Sequence, residues 1–532
     1  QGFFTDEVYS YGLANSVEYT MLDKNSAEYY ALDREGWVDA YFFLNYIEVR
    51  KGEEFSYKQV WENQKEDVLP PLYYLLIHFI TAFYPDHFSK WGGLLLNFIF
   101  QLGSFFLLSD IAGNLYGKRF AYFPFILWGC TSAGISMVTY IRMYTMVTTI
   151  VLGVCCLMLH IIIRNEHKPT KGQLCGLTLL VISGTLTHYY FVIFLAIFMM
   201  TYMLFLLGTK RYRVIWKYAV VGGVSVLAAI AIFPGIMDHL SNYRTQETLR
   251  NLQTGKENGF VNHLGNLNVT FFGGLLPVMG ILFAVYVVSY IDSVRKQKKW
   301  TDQDCMNLLI MITSFVYIVL IMRVAPVADI AGNRYLYMIY PFLALLIMNL
   351  ITKIPQKAGL IAMVFCILWM PAYTIWNTGI LFQYTDDKMI QAIAAEDADC
   401  DCIFVSDSDL GWCDSYQMIF NLLQYDELHY IEARDLEDLP DLLAKRATKS
   451  QDLIVVFSRV FSDEDVEDYL NVIRDLTGFD EAIYRYTENE SVYKLTMKNK
   501  THLYENGGIV TSREVFENGN WHYYDENGIL IH

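Results

Sequence analysis

Through residue 376 the apolar positions form long unbroken blocks, with neither the alternation of a half-buried strand nor the narrow stripe of a surface helix. Crossing a bilayer takes about 20 apolar residues. The blocks at 91–113, 119–138, 141–163, 173–187, 189–208, 214–236, 269–291, 304–324, 335–352 and 359–376 are therefore ten candidate spans. Between them, basic residues fall in every second connector: Lys118–Arg119, Arg164 to Lys171, Lys210 to Lys217, Arg295 to Lys299, and Lys353–Lys357. Short cytoplasmic loops are enriched in Lys and Arg, so these five connectors belong inside. The stretch before residue 91, the turns near 140 and 188, the loops 237–268 and 325–334, and everything after 376 then face out. One further apolar block, "LPPLYYLLIHFITAFYP" (69–85), would break this parity as a span. It reads as an interfacial helix of the first outer loop, with Pro70 and Pro71 at its start, where a missing N–H costs nothing.

Composition agrees with a membrane protein: 54% of residues are hydrophobic and 16% aromatic. With a net charge of −16 and basic residues scattered in short connectors, no face suits nucleic acid. An outward N-terminus implies a first span, inside to outside, preceding residue 1, or in its place a cleaved signal peptide. Of nine cysteines, Cys130, Cys155, Cys156, Cys175, Cys305 and Cys366 lie in apolar blocks and read as small hydrophobes. Cys400, Cys402 and Cys413 match no standard zinc spacing; they read as structural or as one disulfide, with no function assigned.

Ionisable residues near span ends are costly and informative. On the expected outer side lie Asp6 and Glu7 in "TDEVYS", Arg142 in "YIRMYT", His188 in "LTHYYF", and Arg334 in "AGNRYLYMIYP", with Arg323 at the preceding span's end. The arginines are either interfacial snorkellers or an anion site, and the positive-inside rule counts against the first for Arg142 and Arg334. His188 stands evenly between a satisfied polar residue and a ligand contact. Tyr189, Tyr190, Tyr335 and Tyr337 read as aromatic-belt residues. For Asp6 and Glu7, "TDEVYSYGLA" predicts a helix with Thr5 as its cap and the two acids in the first turn, which does not prevent one of them from acting as a base. No Walker loop, dinucleotide fingerprint or H-E-x-x-H motif is present. An activated substrate then comes from the membrane itself. A polyprenyl-phosphate sugar fits, its phosphate held by Arg142 and Arg334 and the acceptor proton taken by a carboxylate.

"TDEVYS", "DVLPPLYYLLIH", "YIRMYT", "THYYF" and "NRYLYMIYP", in that order, resemble bacterial membrane glycosyltransferases of family 39. These are GT-C-fold relatives of protein O-mannosyltransferases and lipid A aminoarabinose transferases. The resemblance covers about residues 1–376 and implies a polytopic α-helical GT-C membrane protein. It implies an inverting transfer from a polyprenyl-phosphate donor to an acceptor hydroxyl on the outer face of a bacterial cell membrane. Asp6 matches the family's catalytic aspartate with Glu7 its acidic neighbour, and Arg142, Arg334 and His188 fall near the donor phosphate. Asp67, Pro70 and Pro71, with Tyr73 following, match an acidic–x–x–Pro–Pro substrate loop. Many relatives carry His or Lys directly before the prolines; Leu69 stands here, with His78, His188 or an arginine to compensate. The resemblance requires no cofactor or metal and leaves a divalent cation open. The acceptor is a cell-envelope glycan, lipid or protein.

By composition the chain divides into a first outer loop (1–90), the transmembrane part (91–376), an acidic, extracytoplasmic α/β domain (377–500) and a tail (501–532). In the domain, "CDCIFVSD" and "QDLIVVFSR" read as strands, and "DSYQMIFNLLQY" and "DEDVEDYLNVIRDL" as helices. The tail "NGNWHYYDENGILIH" resembles one aromatic wall-binding repeat and reads equally as a β-hairpin. Two other classes compete: a flippase or transporter of lipid-linked glycans, which needs polar groups at mid-membrane depth, and a non-catalytic wall-binding membrane protein, which leaves Asp6, Arg142 and Arg334 unexplained.

Overall fold

The computed structural model describes residues 4–17, 37–38, 40–241, 246, 250, 259–295, 301–325, 330–382, 388–407, 419–426, 428–444, 452–458, 460–487 and 491–496, together with strand residues 504–505, 508–509, 513–517 and 520–524. The chain forms two units, one of residues 1–18 and 47–385, the other of residues 19–46 and 386–532.

The first unit is helical. Its first helices are α1 (Thr5–Asn15), α2 (Tyr57–Glu66) and α3 (Leu72–Thr81), followed by α4 (Lys90–Tyr116). Next come α5 (Phe123–Gly129), α6 (Ser132–Thr139), α7 (Tyr144–Ile163), α8 (Lys171–Thr185), α9 (Tyr190–Gly208) and α10 (Tyr212–Ile232). The series ends with α11 (Gly259–Thr270), α12 (Leu276–Arg295), α13 (Asp302–Val324), a 3-10 turn (Ala331–Ile339) running into α14 (Tyr340–Thr352), and α15 (Gln356–Thr378).

Among the described residues, seven helical segments are long and apolar enough to span a membrane, and nine if two bent pairs each count as one. This is a multi-pass membrane protein. The ten spans expected from hydropathy are thus reduced: α8, the block at 173–187, is a helix of only 15 residues. The block at 119–138 is broken by 74° between α5 and α6, and α11 meets α12 at 93°. The second bend falls at Gly273 and Gly274, whose φ of +60° and +80° place both in the left-handed region that glycine tolerates.

The first-loop helices pack by buried polar ties as well as by apolar contact. Asn15 Nδ2 donates to the Ile47 carbonyl at 2.8 Å, and its Oδ1 accepts from Thr81 at 2.9 Å. Asn63 Nδ2 donates to the carbonyls of Leu13 (3.2 Å) and Ser16 (2.8 Å), joining α2 to α1. Helix α3 starts where its prolines predict: Pro71 caps it and the Leu72 N–H donates to the Leu186 carbonyl at 2.9 Å. It buries Tyr73, Tyr74, Ile77, His78 and Thr81 while Phe79 stays exposed, near Phe55 and Phe83. One buried and one exposed apolar face suit a helix lying in a membrane interface.

The second unit carries a six-stranded sheet of order β1-β3-β2-β4-β6-β5, with β1 (Trp37–Val38), β2 (Asp401–Ser406), β3 (Leu428–Glu432), β4 (Leu453–Phe457), β5 (Glu481–Thr487) and β6 (Ser491–Thr496). Strands β3, β2 and β4 are parallel and the remaining pairings antiparallel. The two expected strands are β2 and β4, buried along their whole length, which is why they read as continuous apolar runs. Strands β3, β5 and β6 escaped notice because their sequences are half polar. The helix expected at 463–476 is present as Asp463–Thr477, capped by Ser462 and closed by Gly478 at φ +77°. Of the other, Ile419–Leu422 is helical and 414–418 lie outside the described residues, as does Cys413. In the tail, β9 (Arg513–Glu517) pairs antiparallel with β10 (Asn520–Tyr524), after a two-residue pair β7 (Tyr504–Glu505) and β8 (Gly508–Ile509).

Both unit borders differ from the compositional ones. Trp37–Val38, within the expected first loop, extends the sheet of the second unit by pairing with β3. Residues 379–382, placed by composition with the soluble domain, belong to the membrane unit: Ser132 Oγ donates to the Gly379 carbonyl at 2.5 Å and the Leu381 N–H to Ser136 Oγ at 2.8 Å.

Candidate active site

The site forms where α1 meets the loop between α6 and α7. Thr5 does not cap α1 as expected. The N-cap is Phe4, and its backbone N–H donates to Glu7 Oε2 at 2.9 Å, so Glu7 performs the capping from the first turn. The other Glu7 oxygen accepts the Ile141 N–H at 2.8 Å. Glu7 is 1% exposed, with both oxygens occupied by backbone donors, and burial pushes its carboxyl up from 4.5 to about 8.

Asp6 turns the other way and stays 22% exposed. Tyr140 donates its hydroxyl to Asp6 Oδ2, and Arg334 Nη2 lies 3.5 Å from that same oxygen. Arg142 Nη1 donates to the Asp6 carbonyl at 3.1 Å and to Ser10 Oγ at 3.3 Å. Each guanidinium keeps a buried Nε–H without an acceptor. A buried charged donor left unpaired carries a desolvation cost that an anionic ligand can relieve.

Helix α4 sets the geometry. Asn97 is fully buried; its Nδ2 donates to the carbonyls of Val138 (3.0 Å) and Tyr140 (2.8 Å) and its Oδ1 accepts from Tyr73 (3.0 Å). Gly93 permits the close approach, since a Cβ there would sit 2.3 Å from Ile141 Cγ2. The backbone N–H of Gly93 donates to the Tyr11 hydroxyl at 3.0 Å, which brings α1 against the same turn of α4.

Aromatic rings wall the cluster. Tyr140 stacks on Phe382 at 4.1 Å and lies nearly parallel to Tyr144 at 5.9 Å; Arg334 lies over Tyr335 at 5.3 Å and Phe382 at 5.9 Å. His188 packs against Tyr144 at 5.7 Å, and its Nδ1 accepts the Tyr190 N–H at 3.0 Å. Burial, with the charges of Arg142 and Arg334, lowers its imidazole to about 3, so it is neutral at physiological pH. Asp67 lies in the field of Arg142 with Oδ2 unpartnered, and burial raises its carboxyl above the usual range. The Tyr74 hydroxyl is also buried without a partner in the field of Arg142.

The structure thus brings together Asp6, Arg142, Arg334, His188 and Asp67. It turns Glu7 inward, uses Pro70 and Pro71 to start α3, and engages Tyr73 with Asn97. Arg323, at the end of α13, is exposed. His78 bonds Asn15 at 3.3 Å, and burial lowers its imidazole, so it supplies no cation in place of the one missing at Leu69. Tyr337 is 2% exposed and is core, not belt. Sequence reasoning passed over Tyr140, Ser10, Tyr74, Tyr144 and Phe382. Tyr140 had a signal, standing two positions before Arg142 within the same short motif.

No protein-family model matches the sequence, and no curated protein matches it. Solved structures do. ArnT from Cupriavidus metallidurans in the apo state is similar at 10% identity over 80% of this chain and 87% of that one, with a TM-score of 0.50. The same protein bound to undecaprenyl phosphate gives 10% identity, coverages of 92% and 95%, and a TM-score of 0.49. The Archaeoglobus fulgidus oligosaccharyltransferase in complex with Zn and sulfate gives 11% identity, coverages of 81% and 64%, and a TM-score of 0.41. At such identity the likeness to apo ArnT is one of architecture, and the chain has the GT-C membrane fold.

Proposed function

We propose that the protein is an inverting glycosyltransferase that moves a sugar from a polyprenyl-phosphate donor to an acceptor hydroxyl at the outer face of a bacterial membrane. The observation that carries this reading is the pairing of Asp6 with two arginines, each of which retains a buried N–H without an acceptor. The fold shared with ArnT, a lipid A aminoarabinose transferase, agrees with it.

Arg334 and Arg142 bind the donor phosphate and stabilise the charge that grows on it as the sugar departs. Asp6, oriented by Tyr140, accepts the proton of the incoming hydroxyl as that oxygen attacks the anomeric carbon from the face opposite the phosphate. Glu7, with both oxygens engaged by backbone N–H groups, positions Asp6 and takes no part in the displacement. Neutral His188 lies on the arginine side as an uncharged wall. Asp67 lies in the field of Arg142, its Oδ2 buried.

The test is reconstitution of the full chain in liposomes with a polyprenyl-phosphate sugar and a cell-envelope extract as acceptor. Transfer of labelled sugar to an acceptor is expected; movement of intact donor across the bilayer without transfer would replace this reading with a flippase. The sugar and the acceptor follow from comparing envelope glycans by mass spectrometry with and without the protein.

A further inference from the structure

Among the described residues, a second convergence of reactive side chains lies on α4 and α7, away from the sugar-transfer site. Asp110 of α4 meets Cys156 and His160 of α7, with one donor atom from each residue all within 4.8 Å of one another. Cys156 and His160 are four residues apart on one helix and so share a face. His160 Nε2 is 2.7 Å from Asp110 Oδ2, and Cys156 Sγ is 3.3 Å from the same oxygen. Reading Cys156 as a small hydrophobe overlooked this contact.

The carboxylate is held from behind. Asn114 Nδ2 donates to Asp110 Oδ1 at 3.0 Å, and Arg164 Nη2 donates to Asn114 Oδ1 at 3.3 Å. One oxygen is thereby fixed and the other turned toward the imidazole and the thiol, an outer support typical of metal ligands. Cys156 is buried, while the side chains of His160 and Asp110 are 27% and 39% exposed, which leaves a way in and room for a fourth ligand. His160 lies 16 residues along α7 from Tyr144, about 24 Å at the helical rise.

We propose that Asp110, Cys156 and His160 form a site for a borderline-soft divalent cation of the Zn2+ class, completed by water. A thiolate, an imidazole nitrogen and one carboxylate oxygen suit Zn2+ or Co2+, whereas Mg2+ and Ca2+ require oxygen ligands. Binding releases the Cys156 thiol proton and the proton shared between His160 and Asp110 to solvent. Ligand bonds of about 2.0–2.3 Å require the His160–Asp110 contact to open by roughly half an ångström. The ion pins α4 to α7 at the end remote from Asp6. The inference stands independently of the proposed transfer reaction.

The test uses the full chain without a histidine tag, purified in detergent, stripped with chelator and reloaded with Zn2+ or Co2+ alone. About one zinc per chain is expected, with a raised thermal midpoint and, in the cobalt form, a thiolate-to-metal charge-transfer band. Cys156→Ser should abolish that band and weaken binding at least tenfold, and Asn114→Ala should weaken it roughly tenfold. A reloaded unsubstituted chain that lacks stoichiometric metal or the thiolate band overturns the proposal, whether or not either variant folds. So does equal binding by Cys156→Ser.

Discussion

The backbone N–H of Ile141 donates to Glu7 Oε1 at 2.8 Å, closing a link between positions 134 apart in the sequence. Because Ile141 lies between Tyr140 and Arg142, this one bond places both the hydroxyl that orients Asp6 and the guanidinium that grips its carbonyl. The acidic pair is thus divided: one carboxylate builds the site and the other faces into it.

Asp6→Asn keeps the shape of the side chain and removes the proton acceptor. Transfer in the reconstituted assay should fall roughly a hundred- to ten-thousand-fold, with unchanged elution and thermal midpoint. Full activity would dismiss Asp6 as the base.

Removing the guanidinium in Arg334→Ala deletes a charge-assisted contact to the donor phosphate. Donor affinity, measured by calorimetry, should weaken by about 2–3 kcal/mol. Arg334→Lys should recover part of it, since an ammonium is a point charge without the bidentate fork. An unchanged affinity takes Arg334 out of the site.

Tyr140→Phe retains the ring stacked on Phe382 and loses only the hydroxyl on Asp6. Turnover should drop about tenfold, the equivalent of one hydrogen bond, with donor affinity unaltered. A change in affinity without a change in turnover would argue against an orienting role.

Glu7 gives stability a pH dependence of definite sign. Burial raises its carboxyl from 4.5 to about 8, so between those values the folded chain holds a proton that the unfolded chain has released. The stabilisation is complete below pH 4.5 and is lost as pH rises toward 8. Thermal midpoints should fall across that window, and Glu7→Gln should flatten the slope. A wild-type midpoint that rises through the same window contradicts the assignment.

Asn97→Ala strands the Val138 carbonyl and the Tyr73 hydroxyl and removes one of the two donors to the Tyr140 carbonyl, which keeps the Arg142 N–H at 2.8 Å. A loss of about 2–4 kcal/mol is expected, read as a lowered thermal midpoint, together with reduced transfer because the turn carrying Tyr140 and Arg142 loosens. A midpoint within a degree of wild type would show that water replaces the amide.

Much of this protein is legible along the chain because a bilayer imposes a one-dimensional rule. Apolar runs mark the spans and basic connectors alternate with acidic or neutral ones. The residues left at span ends, Asp6, Glu7, Arg142, His188, Arg334 and Arg323, stand out by their cost, whereas Asp67 is nominated only by the family resemblance. What sequence could not supply was pairing. The choice between Asp6 and Glu7 depends on which carboxylate meets the Ile141 N–H, and backbone donors leave no trace in residue identity. The membership of Phe382 in the site depends on a ring stack across more than two hundred residues, after composition has already turned polar. Likewise Trp37–Val38 joins a sheet whose other strands lie hundreds of positions later, and two residues of strand carry no periodic signal. Hydropathy along the chain determined the membrane class and nominated the charged groups, since burial energy reads hydrophobicity directly. Tertiary structure alone decided which charges face each other, because hydrogen bonds are won by distance and angle.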